Sequence, residues 1–203
     1  MTQFQPALLA GAHTALITPF SRDGSTVDLS ALEAPVRFQA SGGVAGVVPC
    51  GTTGETPTLS DAERRSVIQT TAATAGPLGV KVIAGAGSNA TAHAIELQSE
   101  AEGLGADASL QVVPYYNKPS QEGLFRHFMA IADAAEIPIV LYDVPGRSGV
   151  GLSVDTVIRL AAHPRIVAIK VANGSLGFVG DVAGRCDLEI LSGDDPLTLP
   201  MQS

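Results

Sequence analysis

The fold is decided by residues 137–195, which read IPIVLYDVPGRSGVGLSVDTVIRLAAHPRIVAIKVANGSLGFVGDVAGRCDLEILSGDD. Three short runs rich in Val, Ile, Leu and Ala, at 137–145, 165–173 and 188–195, alternate here with longer segments. Such nearly continuous apolar runs are typical of strands that are buried on both faces of a parallel sheet. We therefore expect strands separated by helical connections, the repeat of an α/β protein.

Four earlier runs of the same kind lie at 12–20, 43–51, 79–87 and 108–116, which makes seven candidate strands. They recur about every 25 to 35 residues, as right-handed βα units do. A doubly wound open sheet and a (β/α)₈ TIM barrel both accept this pattern. No GxGxxG follows the first strand, which disfavours the nucleotide-binding open sheet. A complete barrel has eight units and roughly 250 residues, so the sequence predicts an incomplete barrel.

Several of the segments between the predicted strands have apolar residues at helical spacing. Ser60 and Glu63 form the pattern of a capping box, and Ser120 is the expected cap of a second helix. The predicted helical stretches are 60–75, 90–105 and 120–135.

Composition restricts the class of protein. The 203 residues are 45% hydrophobic and 16% charged, which is enough to form a sizeable core. The net charge of −8 argues against nucleic acid or an anionic membrane as the main partner. No apolar run approaches the roughly 18 residues of a transmembrane helix, and the first residues lack the basic region of a secretory signal. We expect a soluble, cytoplasmic protein.

The sequence offers no pattern of metal ligands or disulfides. Cys50 and Cys186 form neither a disulfide framework nor a CxxC site, and Cys50 suits packing at a strand end better than catalysis. The four histidines show no ligand spacing and are expected on the surface or in helices. They are His13, His93, His127 and His163.

Candidate catalytic residues follow the predicted strands, where a barrel builds its active site. All three tyrosines (Tyr115, Tyr116 and Tyr142) lie there, although tyrosine is also simply favoured in strands. Lys170 lies at the end of an apolar run, where burial of an ammonium is costly unless it is paired or deprotonated. A desolvated neutral lysine can form a Schiff base with a carbonyl substrate. Lys81, near the start of its strand, is expected to extend outward.

Two loops could bind carboxylates. The segment CGTTGE (50–55) places Thr52 and Thr53 between glycines, in a turn that can bring backbone N–H groups close to an anion. Arg147, in VPGRSG, could hold a carboxylate with its guanidinium fork, or could be an ordinary surface arginine.

Six of these segments together resemble the dihydrodipicolinate synthase family of pyruvate-dependent class I aldolases. The resemblance runs through the whole chain in order, on GTTGE (51–55), GAGSNAT (85–91), VVPYYNKPSQEGLFRHF (112–128), LYDVPGRSG (141–149), IKVANG (169–174) and LSGDD (191–195). It implies a (β/α)₈ barrel that assembles as a homotetramer. It also implies the condensation of pyruvate with aspartate semialdehyde to 4-hydroxy-tetrahydrodipicolinate in lysine and diaminopimelate biosynthesis, with no metal or other cofactor.

The resemblance also implies roles for individual residues. Lys170 would form the imine with pyruvate, and Tyr142 would transfer protons. Thr52 and Tyr116 would complete the proton relay, Tyr116 acting in the neighbouring subunit.

Substrate binding and specificity are implied by the same resemblance. Thr53 and Gly51 would bind the carboxylate of pyruvate, and Arg147 that of aspartate semialdehyde. Aldolases of sugar acids carry a similar Gly-Thr-Thr-Gly loop, so Arg147 is the main feature that favours the synthase over such a sister enzyme.

The sequence departs from the family pattern at several positions. Val171 follows the lysine where an acidic residue is common, and Asp143 replaces a common Asn. Strand alternation turns Val171 away from the side that Lys170 faces. At the expected effector site, Asn89 and Tyr115 match the family, but His93 stands where lysine-inhibited members have Glu. We therefore predict that a complete version of this enzyme is inhibited weakly by lysine or not at all.

The resemblance extends beyond the last residue of this sequence. Family members continue with an eighth strand and a C-terminal helical segment, so we expect residues 1–203 to form a single barrel domain that lacks both. Without the eighth strand, two strand edges would be unpaired. The chain could therefore be a non-catalytic fragment, or an interaction protein that borrows a strand. We predict that it is poorly stable and nearly inactive on its own.

Overall fold

A computed structural model describes residues 9–202. The strands in this range are β1 (His13–Ala15), β2 (Gly46–Val48), β3 (Lys81–Gly85), β4 (Ala108–Val112), β5 (Ile139–Asp143), β6 (Ile166–Val171) and β7 (Glu189–Ser192). The helices are α1 (Leu29–Ser41), α2 (Asp61–Ala75), α3 (Thr91–Gly103), α4 (Gln121–Ala132), α5 (Pro145–Ser148), α6 (Val154–Ala161), α7 (Leu176–Ala183) and α8 (Thr198–Gln202). Short 3₁₀ turns lie at Thr56–Thr58, Gly76–Leu78 and Asp195–Leu197.

The described chain divides into two compact units. The first comprises residues 9–85 and 100–109. In it β1 pairs in parallel with β2, and β2 with β3, so that Ala15 lies opposite Val48. The chain enters β4 in this unit, where the backbone N–H of Asp107 donates to the carbonyl of Val82 (2.9 Å). Helices α1 and α2 pack against each other and against these strands, which buries their apolar faces.

The second unit comprises residues 86–99 and 110–202. Here β5, β6 and β7 pair in parallel in chain order. The register places Lys170 of β6 between Tyr142 of β5 and Leu191 of β7. The apolar core of this unit packs the strands against α4, α6 and α7, and it includes Phe128 and Ile169, both fully buried.

Each of the seven predicted runs contains one strand. Strands follow chain order in each unit, without the reversal of order that defines a doubly wound sheet. The expected burial on both faces is correct for β2 and β5. It is wrong for β1 and β7, whose residues are all half-buried. Within the described residues each of these two strands pairs with one neighbouring strand.

The predicted helix starts are confirmed. Ser60 and Glu63 form a complete capping box: the Ser60 hydroxyl accepts from the Glu63 N–H (3.3 Å), and the Glu63 carboxylate accepts from the Ser60 N–H (2.9 Å). Ser120 accepts from the N–H of Gly123 (3.2 Å) at the start of α4. Of the helices in residues 9–202, none is long and apolar enough to cross a membrane.

Candidate active site

Lys170 lies near the carboxyl end of β6, and its side chain is half-buried. Burial lowers the pKa of the Lys170 ammonium, because desolvation penalises the charged form. The negative charge of Asp195, beyond β7, acts in the opposite direction and raises it. The lowered pKa enlarges the neutral fraction of this amine at a given pH, and the neutral amine is the nucleophile.

Tyr142 lies opposite Lys170 on β5 and is buried, with 6% of its surface exposed. The Lys170 Nζ lies 4.4 Å from the centroid of the Tyr142 ring. A cation at this distance is attracted to the ring face, which favours a defined position for the amine. The structure thus brings together the predicted nucleophile and the predicted proton carrier.

Asp143 follows Tyr142 and its carboxylate is buried. It accepts hydrogen bonds from the backbone N–H of Leu152 (2.9 Å) and from the Asn173 side-chain amide (2.9 Å). Desolvation raises the pKa of the Asp143 carboxyl above its ordinary value, against these two hydrogen bonds, which lower it. Asp143 therefore ties the segment after β5 to the segment after β6. Val171 is buried in the apolar core, as strand alternation predicts.

Arg147 is exposed on the short helix α5, in the segment that Asp143 ties down. The helix ends at Gly149, whose φ of +76° is the left-handed conformation that favours glycine. The side chain of Lys118, from the loop after β4, lies against Gly149. A Cβ added at Gly149 would be 2.7 Å from the Lys118 Cε. Arg147 is thus presented by a fixed turn.

The glycine-threonine loop belongs to the first unit. Its backbone turns on itself, with the N–H of Gly54 donating to the carbonyl of Gly51 and that of Glu55 to the carbonyl of Thr52 (both 3.1 Å). The glycines are buried, whereas Thr52 and Thr53 are exposed. The loop therefore presents both threonine side chains to solvent.

Cys50 precedes this loop and is 1% exposed. Burial raises the pKa of its thiol to about 12, so the reactive thiolate is disfavoured. A Cβ at Gly85 would lie 1.9 Å from the Cys50 carbonyl oxygen. Only glycine at this position therefore allows the end of β3 to pack so closely against the backbone of Cys50. The prediction that Cys50 is a packing residue is confirmed.

The predicted effector residues lie in the second unit. Asn89 donates to the carbonyl of Tyr115 (3.2 Å), and Asn117 donates to the carbonyl of Asn89 (3.1 Å), so the loop after β4 is held to the start of α3. His93 is half-buried on α3. Tyr116 is 89% exposed and has a φ of +73°, a strained conformation for an aromatic residue.

The histidines are placed differently from the prediction in two cases. His127 and His93 lie in helices, as expected. His13 instead lies half-buried in β1, and His163 lies in the turn after α6 with only 9% of its side chain exposed, 3.1 Å from Asp133. In residues 9–202 no group of three or more His, Cys, Asp or Glu side chains could hold a metal ion.

Comparisons with known proteins identify the family. The sequence model of the Dihydrodipicolinate synthetase family matches residues 8–203. The 4-hydroxy-tetrahydrodipicolinate synthase of Leptospira biflexa is 50% identical over 198 residues, which are 97% of this chain and 66% of the relative. The chain therefore spans slightly less than two thirds of that relative's length.

Solved structures agree with this match. Dihydrodipicolinate synthase from Cyanidioschyzon merolae with lysine bound superposes with a TM-score of 0.94 at 41% identity, over 96% of this chain and 67% of that one. The chloride-inhibited enzyme from Acinetobacter baumannii, complexed with pyruvate, gives 0.88 at 45% identity, over 94% and 66%. The predicted fold, a (β/α)₈ barrel represented here by seven strands, is confirmed. This chain belongs to the dihydrodipicolinate synthetase family.

Proposed function

We propose that this chain carries the catalytic residues of a synthase that condenses pyruvate with aspartate semialdehyde to 4-hydroxy-tetrahydrodipicolinate, a step in lysine biosynthesis. The observation that carries the proposal is the desolvated amine of Lys170, 4.4 Å from the ring centroid of Tyr142. The name of the Leptospira relative and the pyruvate bound by the Acinetobacter enzyme support the same chemistry here.

The reaction begins when the neutral Lys170 amine attacks the ketone carbon of pyruvate and water leaves, which forms an imine. Loss of a methyl proton converts the protonated imine to an enamine. The enamine carbon then attacks the aldehyde carbon of aspartate semialdehyde. Finally, the amine of that substrate attacks the imine carbon, which closes the ring and releases Lys170. The protonated imine accepts the electrons of the breaking C–H bond, so the scheme needs no metal or other cofactor.

The proton transfers are assigned to Tyr142, with Thr52 and Tyr116 as its relay. Tyr142 suits this role because its ring lies beside the amine that becomes the imine nitrogen. Positioned acid–base groups contribute about 10²–10⁴-fold to such reactions. Tyr116 projects from a strained loop and is almost fully exposed, which suits a side chain that enters the site of a second copy of the chain. We therefore propose a homo-oligomer.

Carboxylate recognition is assigned to two loops. Thr53 and the backbone of Gly51 would bind pyruvate, and the guanidinium of Arg147 would hold aspartate semialdehyde. An exposed arginine on a fixed turn suits a bidentate carboxylate contact. Both substrates are small metabolites of the cytoplasm, and we place the enzyme there, with neither nucleic acid nor a membrane as its partner.

The test is to incubate the chain with both substrates and detect the condensed product by mass spectrometry. The variant Arg147→Ala should raise the KM for aspartate semialdehyde at least tenfold, a loss of about 1.4 kcal/mol, and should leave the trapping of pyruvate intact. Arg126→Ala, which removes another exposed arginine of the same unit, is the control and should change neither. Product formation that Arg147→Ala does not weaken would overturn the assignment of the second substrate.

A further inference from the structure

Gly193, directly after β7, lies against the side chain of Lys170. A Cβ at Gly193 would lie 2.7 Å from the Lys170 Cε, and 3.1 Å from both the Lys170 Cγ and the Ala172 Cβ. Carbon atoms in favourable contact are about 3.5–4.0 Å apart. We propose that Gly193 is a positioning residue: its missing side chain leaves the space in which the methylene chain of Lys170 lies while the amine faces Tyr142.

The backbone conformation does not require a glycine at this position. Gly149 and Gly174 of the same unit have φ values of +76° and +72°, which side chains rarely adopt, whereas Gly193 has no such positive φ. The reason for a glycine at 193 is therefore space beside Lys170.

The backbone around Gly193 is fixed on β6. Its N–H donates to the carbonyl of Val171 (2.8 Å), the residue after Lys170. The next residue is held as well, because the N–H of Asp194 donates to the Ser192 hydroxyl (3.3 Å), which itself donates to the Asp194 carbonyl (2.9 Å). If a methyl group were added at 193, the flexible lysine side chain would move before this hydrogen-bonded backbone did.

A displaced Lys170 would lose its present surroundings. Tyr142 lies on the β5 side of the amine, and the new methyl group would stand on the β7 side, so the Lys170 side chain would leave the half-buried position that it now occupies. Because burial is what lowers the pKa of this lysine, exposure would return the pKa toward its ordinary value. Each unit of increase reduces the neutral fraction about tenfold at neutral pH. The catalytic consequence rests on the proposed function, but the packing relation does not.

The experiment compares Gly193→Ala with wild type and with Gly180→Ala, a control on α7 where a Cβ meets no atom within 4 Å. Competitive acetylation with acetic anhydride over a pH series reports the protonation of each lysine by peptide mapping, without any substrate. In Gly193→Ala the pH at the midpoint of Lys170 acetylation should be higher than in wild type, while the midpoint for Lys81 should be the same in both. Pyruvate trapping with borohydride at neutral pH should fall about tenfold for each pH unit of that rise. Gly180→Ala should match wild type in both the Lys170 acetylation midpoint and the trapping of pyruvate.

If Gly193→Ala is too unstable for acetylation, a double-mutant cycle tests the packing relation instead. It compares the unfolding free energies of Gly193→Ala, Lys170→Ala and the double variant with that of wild type. Any destabilisation by Gly193→Ala should be largely removed when Lys170→Ala is present as well, because the main atoms that the new methyl group meets are then absent. An unchanged Lys170 acetylation profile in a folded Gly193→Ala, or equal destabilisation in both backgrounds, would overturn the inference. A shifted profile together with no pyruvate adduct on wild type would support the role of Gly193 and count against the proposed function alone.

Discussion

Acid sensitivity of this protein should depend on His127, a histidine that the proposed reaction does not use. Its side chain lies in the core of the second unit, 5% exposed and edge-on to Phe128, with ring centroids 5.1 Å apart. The Nδ1 is 2.9 Å from the Thr91 hydroxyl, and the buried Nε2 has no hydrogen-bond partner among residues 9–202. Burial alone lowers the pKa of His127 from 6.5 to about 4.

The direction and size of the change in stability with pH follow from the difference between the pKa of His127 in the folded chain and in the unfolded chain. Between pH 6.5 and about pH 4 the unfolded chain takes up a proton at His127 and the folded chain does not, so stability falls as the pH falls. Each pKa unit corresponds to about 1.4 kcal/mol, so acidification from pH 7 to pH 4 should remove about 3 kcal/mol from the free energy of unfolding.

The measurement is urea unfolding, followed by circular dichroism at both pH values. His127→Leu should lose about 3 kcal/mol less than wild type across this range, because it has no imidazole to protonate. Thr91→Val is the control: it removes the hydrogen bond but keeps the burial, so it should lose as much as wild type. Parallel losses in wild type and His127→Leu, or an NMR titration of His127 with a midpoint near 6.5, would show that His127 is not the source of the acid sensitivity.

Three further predictions concern stability and regulation. Ser60→Ala should cost about 1 kcal/mol of unfolding free energy through loss of the capping box, whereas Ser66→Ala, inside the same helix, should cost less; equal costs in urea unfolding would contradict this. Because the pKa of Asp143 is raised in the folded chain, ionisation of this carboxyl destabilises the fold, and the free energy of unfolding should fall as the pH rises above the ordinary aspartate pKa. Urea unfolding of Asp143→Asn, measured at a series of pH values beside wild type, should lack that fall. In a complete version of the enzyme, extended by the eighth strand and C-terminal helical segment of the relatives, sub-millimolar lysine should leave activity almost unchanged and should inhibit the His93→Glu variant. Strong inhibition of the complete enzyme with His93 in place would exclude the role given to His93.

Much of the fold could be predicted from the sequence because its signals are local. Seven apolar runs each gave a strand, and the serine caps of α2 and α4 were visible as short motifs. The half-burial of β1 and β7 does not follow from their apolar runs, but it fits the expectation that two strands each have one unpaired edge.

The candidate site was predicted less completely. Lys170 and Tyr142 stand out as polar residues at strand ends, and the register of β5 and β6 brings them together. Asp143 and Gly193 act through contacts between segments that lie about 10 to 30 residues apart, such as the hydrogen bond from the Leu152 N–H to Asp143 and the packing of Lys170 beside Gly193. Sequence spacing carries no signal for such contacts, since they arise only once the strands are in register.

The proposed reaction requires Lys170 to form the imine with pyruvate. The chain has only three lysines, Lys81, Lys118 and Lys170, so borohydride reduction with pyruvate followed by peptide mapping gives an unambiguous answer. Circular dichroism of the same sample establishes that the chain is folded. We predict a single adduct on Lys170 that is lost in Lys170→Arg and kept in Lys81→Arg. A folded chain without an adduct, or with an adduct on another lysine, would show that Lys170 is not the residue that forms the imine.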